Sequence, residues 1–231
     1  MTRSTWRWRR DGRIRNRENV SSAYCDVAPG PRSSSTDTRV GTIGQRGNLA
    51  RVSDIPTLYT PRLTLRAWRE KDRAPFAALN ADPQVMAHFP ATLSRVASDE
   101  FIIRAQDTWR LGYGLWAVEG RATGEFEGYI GFSRPAWCAP FTPCIEIGWR
   151  LARSSWGRGL ATEGATAALS WAKSNVAFPR GEVVSFTTES NERSRRVMEK
   201  LDFTHDAGDD FDHPLVPEGP HRRHVLYRRL V

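Results

Sequence analysis

The chain has 231 residues and is 39% hydrophobic, enough to fill one core and short for two domains of ordinary size. No apolar run approaches the roughly 18 residues a membrane helix needs, the first residues lack the apolar centre of a secretory signal, and Cys25, Cys138 and Cys144 form an odd set without metal-ligand spacing. A membrane span, a disulfide framework and a structural zinc are therefore not expected, and the net charge of +8 is no signature of a nucleic-acid-binding fold, because ten arginines against four acids within residues 1 to 50 carry +6 of it.

Residues 1–55 combine those arginines with Ser/Thr/Gly/Pro clusters and no sustained apolar period, which predicts a disordered N-terminal extension. Trp6 and Trp8 would let it stack on nucleic acid. Alternatively it is inert, even the product of an upstream start codon. Arginine without lysine in a patternless segment reads as compositional, so nucleic acid is not an expected partner. A single cytoplasmic domain over 56–231, acting as a monomer or homodimer, is expected.

Thr60 to Trp68 alternates apolar and polar residues from a proline and predicts a first strand. Asp72 is placed to cap a helix through Phe76 and Leu79, and Asp82-Pro83 marks a turn. Ser94 or Ser98 opens the next helix, which carries Phe101, Ile102, Ala105 and Trp109 and stops at Gly112. Leu115–Glu119 and Phe126–Phe132 flank the turn Ala122-Thr123-Gly124 as an antiparallel hairpin. Three prolines between 135 and 143 keep the next segment irregular. Ile145–Leu151 is a strand, and a helix from about Leu160 to Lys173 follows a glycine loop. Val183–Thr188 is another strand, Asn191 introduces a helix bearing Val197, Met198 and Leu201, and His224–Leu230 alternates as a last strand. The order implies an α/β fold, a mixed sheet flanked by helices.

The junction Trp156-Gly157-Arg158-Gly159-Leu160-Ala161-Thr162 carries the chemistry. Glycines at 157 and 159 let backbone approach a ligand, and the following helix presents unpaired N–H groups and the positive end of its dipole. Such a place suits a pyrophosphate. A tight strand-to-helix turn also uses glycine for steric reasons alone, so the pair by itself leaves both readings open.

Its setting is more specific. Pro61-Arg62-Leu63-Thr64-Leu65-Arg66, Gly128-Tyr129-Ile130-Gly131, Glu146-Ile147-Gly148-Trp149, the glycine loop with Glu163, and Asn191-Glu192-Arg193-Ser194 with Val197 to Leu201 occur in this order. From about Thr60 to Leu230 the chain resembles the GNAT acetyltransferases, within them the branch of the ribosomal-protein N-terminal acetyltransferases. The resemblance implies a splayed mixed sheet flanked by helices, with acetyl-CoA as co-substrate entering where two parallel strands part. It places the CoA pyrophosphate on Trp156, Gly157, Arg158, Gly159, Leu160, Ala161 and Thr162, the pantetheine along Trp149, Arg150 and Leu151, and the CoA arm near Asn191. Two positions depart from the family pattern. Ser154 stands where a glutamine or arginine is usual, and Met198 where many relatives carry a tyrosine that protonates the leaving thiolate.

Acyl transfer from a thioester to an amine needs a neutral amine and a polarised carbonyl. Glu146, one short strand from the loop, is the candidate base; its other reading is a strand residue paired with a surface arginine. Ser194 is the candidate proton donor, or else a helix serine bonded to its own backbone. Asp210, Asp212 and His213 lie in the link before the last strand, where the resemblance implies the acceptor site and acids would attract a cationic amine; a solvated, turn-forming loop is the alternative. No metal is expected. The implied activity is acyl-CoA-dependent N-acyl transfer, acetyl passing directly to a primary amine of a peptide N-terminus or small molecule. A CoA-binding module without turnover is the alternative. With Glu146 as base, Glu146→Gln is expected to slow turnover most at low pH, where the acceptor amine is most protonated.

Overall fold

The structure, a computed structural model, describes residues 55–231. Apart from Ile55, the extension expected over 1–55 lies outside the described residues. Among the described residues, nine strands form one mixed sheet in the order β1 (Leu58–Tyr59), β2 (Leu63–Arg66), β3 (Leu115–Gly120), β4 (Phe126–Ser133), β5 (Glu146–Leu151), β6 (Glu182–Thr188), β9 (Arg223–Leu230) and β7 (Thr204–His205), with β8 (Phe211–Asp212) also paired to β9. Within this order only β5 and β6 run parallel.

The central strands are apolar on both faces because helices cover both. Trp116, Val118, Ile130 and Phe132 point toward α3 (Leu160–Asn175) in the larger core cluster. Leu115, Ala117 and Tyr129 point the other way, onto Phe76 and Leu79 of α1 (Arg73–Ala81) and Ile102 and Ala105 of α2 (Arg95–Thr108). Alternation with period two sorts them. Along α3, Leu160, Gly164, Ala165, Ala168, Leu169 and Ala172 form a small-residue stripe at helical spacing. A Cβ at Gly164 would collide with the Ile130 side chain, so glycine is what lets this helix sit close to the sheet.

Three local expectations change. Thr60–Trp68 is not one strand: Pro61 sits in a hairpin turn between β1 and β2, closed by Thr60 N to Leu63 O at 2.9 Å. Asp72 does not cap α1 through its side chain. Its buried carboxylate accepts from Arg69 N at 2.7 Å, rounding off the preceding 3-10 turn, and from both terminal nitrogens of buried Arg66 at 2.7 and 2.8 Å. Extended chain is expected to resume at Phe203, where β7 follows, but the two-residue strand β8 was not foreseen, since a strand that short carries no period.

Ser94 is the residue that caps α2, accepting from Ala97 N at 3.2 Å, and Gly112 ends the following turn at φ 85°. Asn191 caps α4 (Glu192–Lys200) through Ser194 N at 3.3 Å.

Candidate active site

The segment from β5 to α3 is a 3-10 turn, Arg153–Ser155, followed by two left-handed glycines. The Ser155 hydroxyl donates to the Glu127 carboxylate and Ser155 N to Ala152 O, fixing the turn from beneath. Gly157 lies at φ 71° and Gly159 at φ 74°, a region side chains other than glycine occupy at a cost. A Cβ at Gly157 would meet nothing within 4 Å. The first bonded amide of α3 is Glu163 N, on Gly159 O at 3.0 Å, so helix geometry leaves Leu160, Ala161 and Thr162 N–H without intrahelical partners. They open on a cavity of about 1050 Å³ lined by Gly157, Gly159 and Leu160 to Thr162. An open cradle of unpaired amides at a helix start suits the diphosphate of CoA. Arg158 does not line this cavity, and the Trp156 amide is taken by Arg153 O at 3.2 Å.

The cradle is braced from the turn between β1 and β2. Arg62 donates through Nε to Glu163 Oε2 at 2.6 Å and through Nη1 to Arg158 O at 2.8 Å, while Thr60 Oγ1 donates to Glu163 Oε1 at 2.5 Å. Burial pushes the Glu163 carboxyl up, but these bonds together with Arg62 N outweigh it and hold the group below its usual range.

Next to the cradle the sheet opens. β5 and β6 share a single register pair, Glu146 with Val184, and Val184 N bonds Ile145 O at 3.0 Å. On the other side of β5, Ala152 N donates to Glu127 O at 2.8 Å, so the antiparallel alternation commits Arg150 and Gly148 to Tyr129 and Gly131 of β4. Trp149 N–H and C=O then face the parting strands. Of the three residues expected along the pantetheine, Trp149 alone offers both groups: Arg150's are spent on β4, and Leu151 O accepts from Trp156 Nε1 at 3.0 Å.

Glu146 lines the cavity at the point of parting. The cavity leaves it partly uncovered, but protein surrounds it closely enough that burial raises its carboxyl to about 8, against the lowering effect of Ser133 Oγ donating to Oε2 at 3.1 Å. No arginine pairs with it among the described residues. Across the gap stands the start of α4. Asn191 Nδ2 donates to Thr187 Oγ1 at 2.8 Å and Ser194 Oγ at 3.1 Å, so its amide is engaged in the cap. Ser194 Oγ accepts that bond and keeps its own proton for the cavity. Met198, buried at 1% exposure, forms part of the same wall.

The expected acidic acceptor surface is not there. Asp210 accepts from Leu226 N at 3.3 Å and pairs with His205 at 2.8 Å, Asp212 lies 3.5 Å from Arg223, and neither lines the cavity. Donors of their own chain engage them both. His213 does line it, packed 5.0 Å from the His224 ring and 4.8 Å from Trp137. Burial, reinforced by His224, lowers the His213 imidazole to about 4, and burial lowers His88 and His224 as well, so these three rings are neutral near pH 7. Among the described residues no group of three or more His, Cys, Asp or Glu could hold a metal ion. None of the described helices is long and apolar enough to cross a membrane.

His88, Phe89 and Arg193 were missed by the sequence reading. His88 Nδ1 lies 3.3 Å from both Thr188 Oγ1 and Ser190 Oγ, and the Arg193 guanidinium stacks 4.4 Å from the Trp156 ring. The signal for the first two was an aromatic pair in a prolyl loop between two helices, which is weak without the fold.

Comparison with known proteins agrees with this geometry. A family model described as an acetyltransferase (GNAT) domain matches residues 62–204. The Bacillus subtilis protein YkkB is 34% identical over 147 residues, 62% of this chain and 83% of that one. The FsC-acetyl coenzyme A-N(2)-transacetylase of Aspergillus fumigatus is 31% identical over 161 residues, 65% of this chain and 66% of the enzyme. A Salmonella typhimurium acetyltransferase that modifies the N-terminal serine of a ribosomal subunit protein superposes with a TM-score of 0.60 at 17% identity, covering 76% of this chain and 99% of that one, a likeness of fold. The general reaction of such enzymes is acyl transfer from acetyl-CoA to an amine. On its matched segment, its parted strands and its glycine loop at the start of α3, the chain belongs to the GNAT acetyltransferase family.

Proposed function

We propose that this protein transfers an acetyl group from acetyl-CoA directly to the primary amine of a small molecule, with Glu146 as the base. The observation that carries this reading is the placement of Glu146. Its carboxyl, raised to about 8, opens on the same cavity as the glycine cradle and the parting strands. A base works best when its pKa lies near the working pH. Acetyl-CoA supplies the acyl group and the thiol leaving group. The amine nitrogen forms a bond to the acyl carbon as the carbon–sulfur bond breaks, the amine's proton passes to Glu146, and the sulfur leaves with a proton. Trp149 N–H, turned toward the gap, is the donor that would steady the carbonyl oxygen.

A cavity with neutral histidines on its wall, rather than an acidic groove, favours a small uncharged-bodied amine over a polycation. The test is a screen of primary amines with acetyl-CoA, scoring free thiol and acetylated product by mass spectrometry. Thiol release at background with every amine, despite calorimetric CoA binding, would instead identify a binding module.

With a buried methionine at 198, Ser194, whose residue lines the cavity at the start of α4, is the hydroxyl assigned to protonate the departing sulfur. Because a thiolate leaves readily unaided, Ser194→Ala should lower kcat only about 3- to 10-fold. The CoA dissociation constant should stay unchanged; a wild-type kcat would return Ser194 to a purely structural part in the α4 cap.

A further inference from the structure

Arg150 is a buried charge for which the reaction above has no use. Only 8% of it is exposed, and it forms part of the cavity wall. A relay holds it in place: Ser98 Oγ donates to Ser94 O at 2.9 Å, Asn80 Nδ2 donates to Ser98 Oγ at 3.1 Å, and Arg150 Nη1 donates to Asn80 Oδ1 at 2.6 Å. Asn80 is wholly buried. The guanidinium carbon sits 4.2 Å from the Phe89 ring centre and 5.5 Å from that of Tyr129. Yet Nε is buried without a hydrogen-bond partner, Nη2 bonds to nothing among the described residues, and none of their carboxylates lies within ion-pairing distance. A cation taken out of water ordinarily finds an anion, and an unpaired buried N–H calls for an explanation.

The missing anion does not belong to the CoA diphosphate. Strand alternation sends the Arg150 side chain to the face of Glu146 and Gly148, where Asn80, Phe89 and Phe101 lie, whereas α3 and its cradle pack on the opposite face with Ile147 and Leu151. Glu146 stands four residues back on that same face, about 13 Å away at the Cα atoms by strand rise. Both reach one neighbour: burial raises the Tyr129 phenol, Arg150 lowers it and Glu146 raises it.

We propose that Nη2 of Arg150 receives a carboxylate of the acceptor, so that the molecule acetylated is an amino acid: one primary amine directed to Glu146 and one carboxylate directed to Arg150. This rests on the acetyl-transfer reading and narrows its substrate class. With Nη1 fixed on Asn80 Oδ1, the rigid guanidinium holds Nη2 in one place for the carboxylate, which the freely turning ammonium of a lysine in its place would not.

The test uses acceptor pairs that differ only by the carboxylate: L-phenylalanine with 2-phenylethylamine, L-leucine with isopentylamine, and L-lysine with cadaverine. For each, binding to the CoA-loaded protein is measured by calorimetry and turnover by acetylated product. At least one amino acid should exceed its decarboxylated partner about 10- to 100-fold in affinity and in kcat/KM, the range for a charge-assisted hydrogen bond. Arg150→Lys should erase most of that preference and leave the CoA dissociation constant within about twofold. Amines acetylated as well as or better than their amino acids would overturn the carboxylate assignment and leave acetyl transfer standing. Preferential binding of an amino acid without any product would uphold Arg150's role and sink the acetyl-transfer reading. Failure of every pair to bind or react overturns both. Because the paired acceptors are compared on the unaltered protein, the result does not depend on the variant folding.

Discussion

Gly157→Trp should abolish measurable CoA binding, raising the dissociation constant more than about 100-fold, while the protein stays folded. Charge-assisted bonds from backbone N–H groups to phosphate contribute about 1.5–3 kcal/mol each, and an indole growing from this position occupies the space in which two or more of them form. The fold has little reason to object. A Cβ at Gly157 meets nothing within 4 Å, so the cost is the left-handed backbone at φ 71°, about 1–2 kcal/mol. The hairpin turn supplies a matched control. Gly124 lies at φ 69° with nothing within 4 Å of its own Cβ, and it is not part of the cavity wall. Gly124→Trp should therefore lower the melting midpoint by about as much, a few degrees for a domain of this size, and leave CoA affinity at the wild-type level. Equal CoA affinity in the two variants would show that the amides of this loop do not hold the diphosphate.

The contrast between loop and acceptor site explains what was legible in the sequence. The cradle is written locally: two glycines and a helix start lie within seven consecutive residues, and in the proposed site backbone groups would do the holding, so side-chain identity matters little. The strands beside it were legible for the same reason, since period-two burial between two helical layers leaves its mark on Trp116 to Val118 and Ile130 to Phe132. The brace by Arg62 and Glu163 joins residues 101 positions apart, and the Ser98–Asn80–Arg150 relay joins three elements. Neither has a local signature. Asp210 and Asp212 were drawn wrongly toward the acceptor because a cluster of acids reads as an electrostatic lure only when nothing cancels it. Here Arg222, Arg223 and Arg228, just beyond a turn or on the last strand, pair with Asp212 and Asp209, and the His205 ring contacts Asp210. Asp72 failed in a similar way: its local role as a cap lost to a buried arginine six residues earlier.

Glu146→Gln tests the chemistry, and its pH dependence should run opposite to what the sequence alone suggests. If Glu146 were an ordinary carboxylate it would be ionised throughout the working range, and the variant's defect would follow the amine, largest at low pH. Burial lifts the carboxyl to about 8 instead. Below that value the wild-type side chain is itself mostly protonated and no better a base than glutamine; above it the carboxylate forms. The ratio of wild-type to variant kcat should thus be small near pH 6 and grow through pH 8 to about 100-fold or more, the usual worth of a positioned base. CoA affinity should stay within about threefold at every pH. Stability supplies an independent sign. Because the folded pKa lies above the unfolded one, the folded state holds a proton that the unfolded chain has released, and wild-type stability falls as pH climbs from about 4.5 to about 8. Glutamine carries no such proton, so Glu146→Gln should melt higher than wild type at pH 9 and close to it at pH 4. A variant slower at high pH yet more stable there would tie one buried carboxyl to both effects. A kcat ratio that does not change across pH 8 would remove Glu146 as the base, whatever the melting curves show.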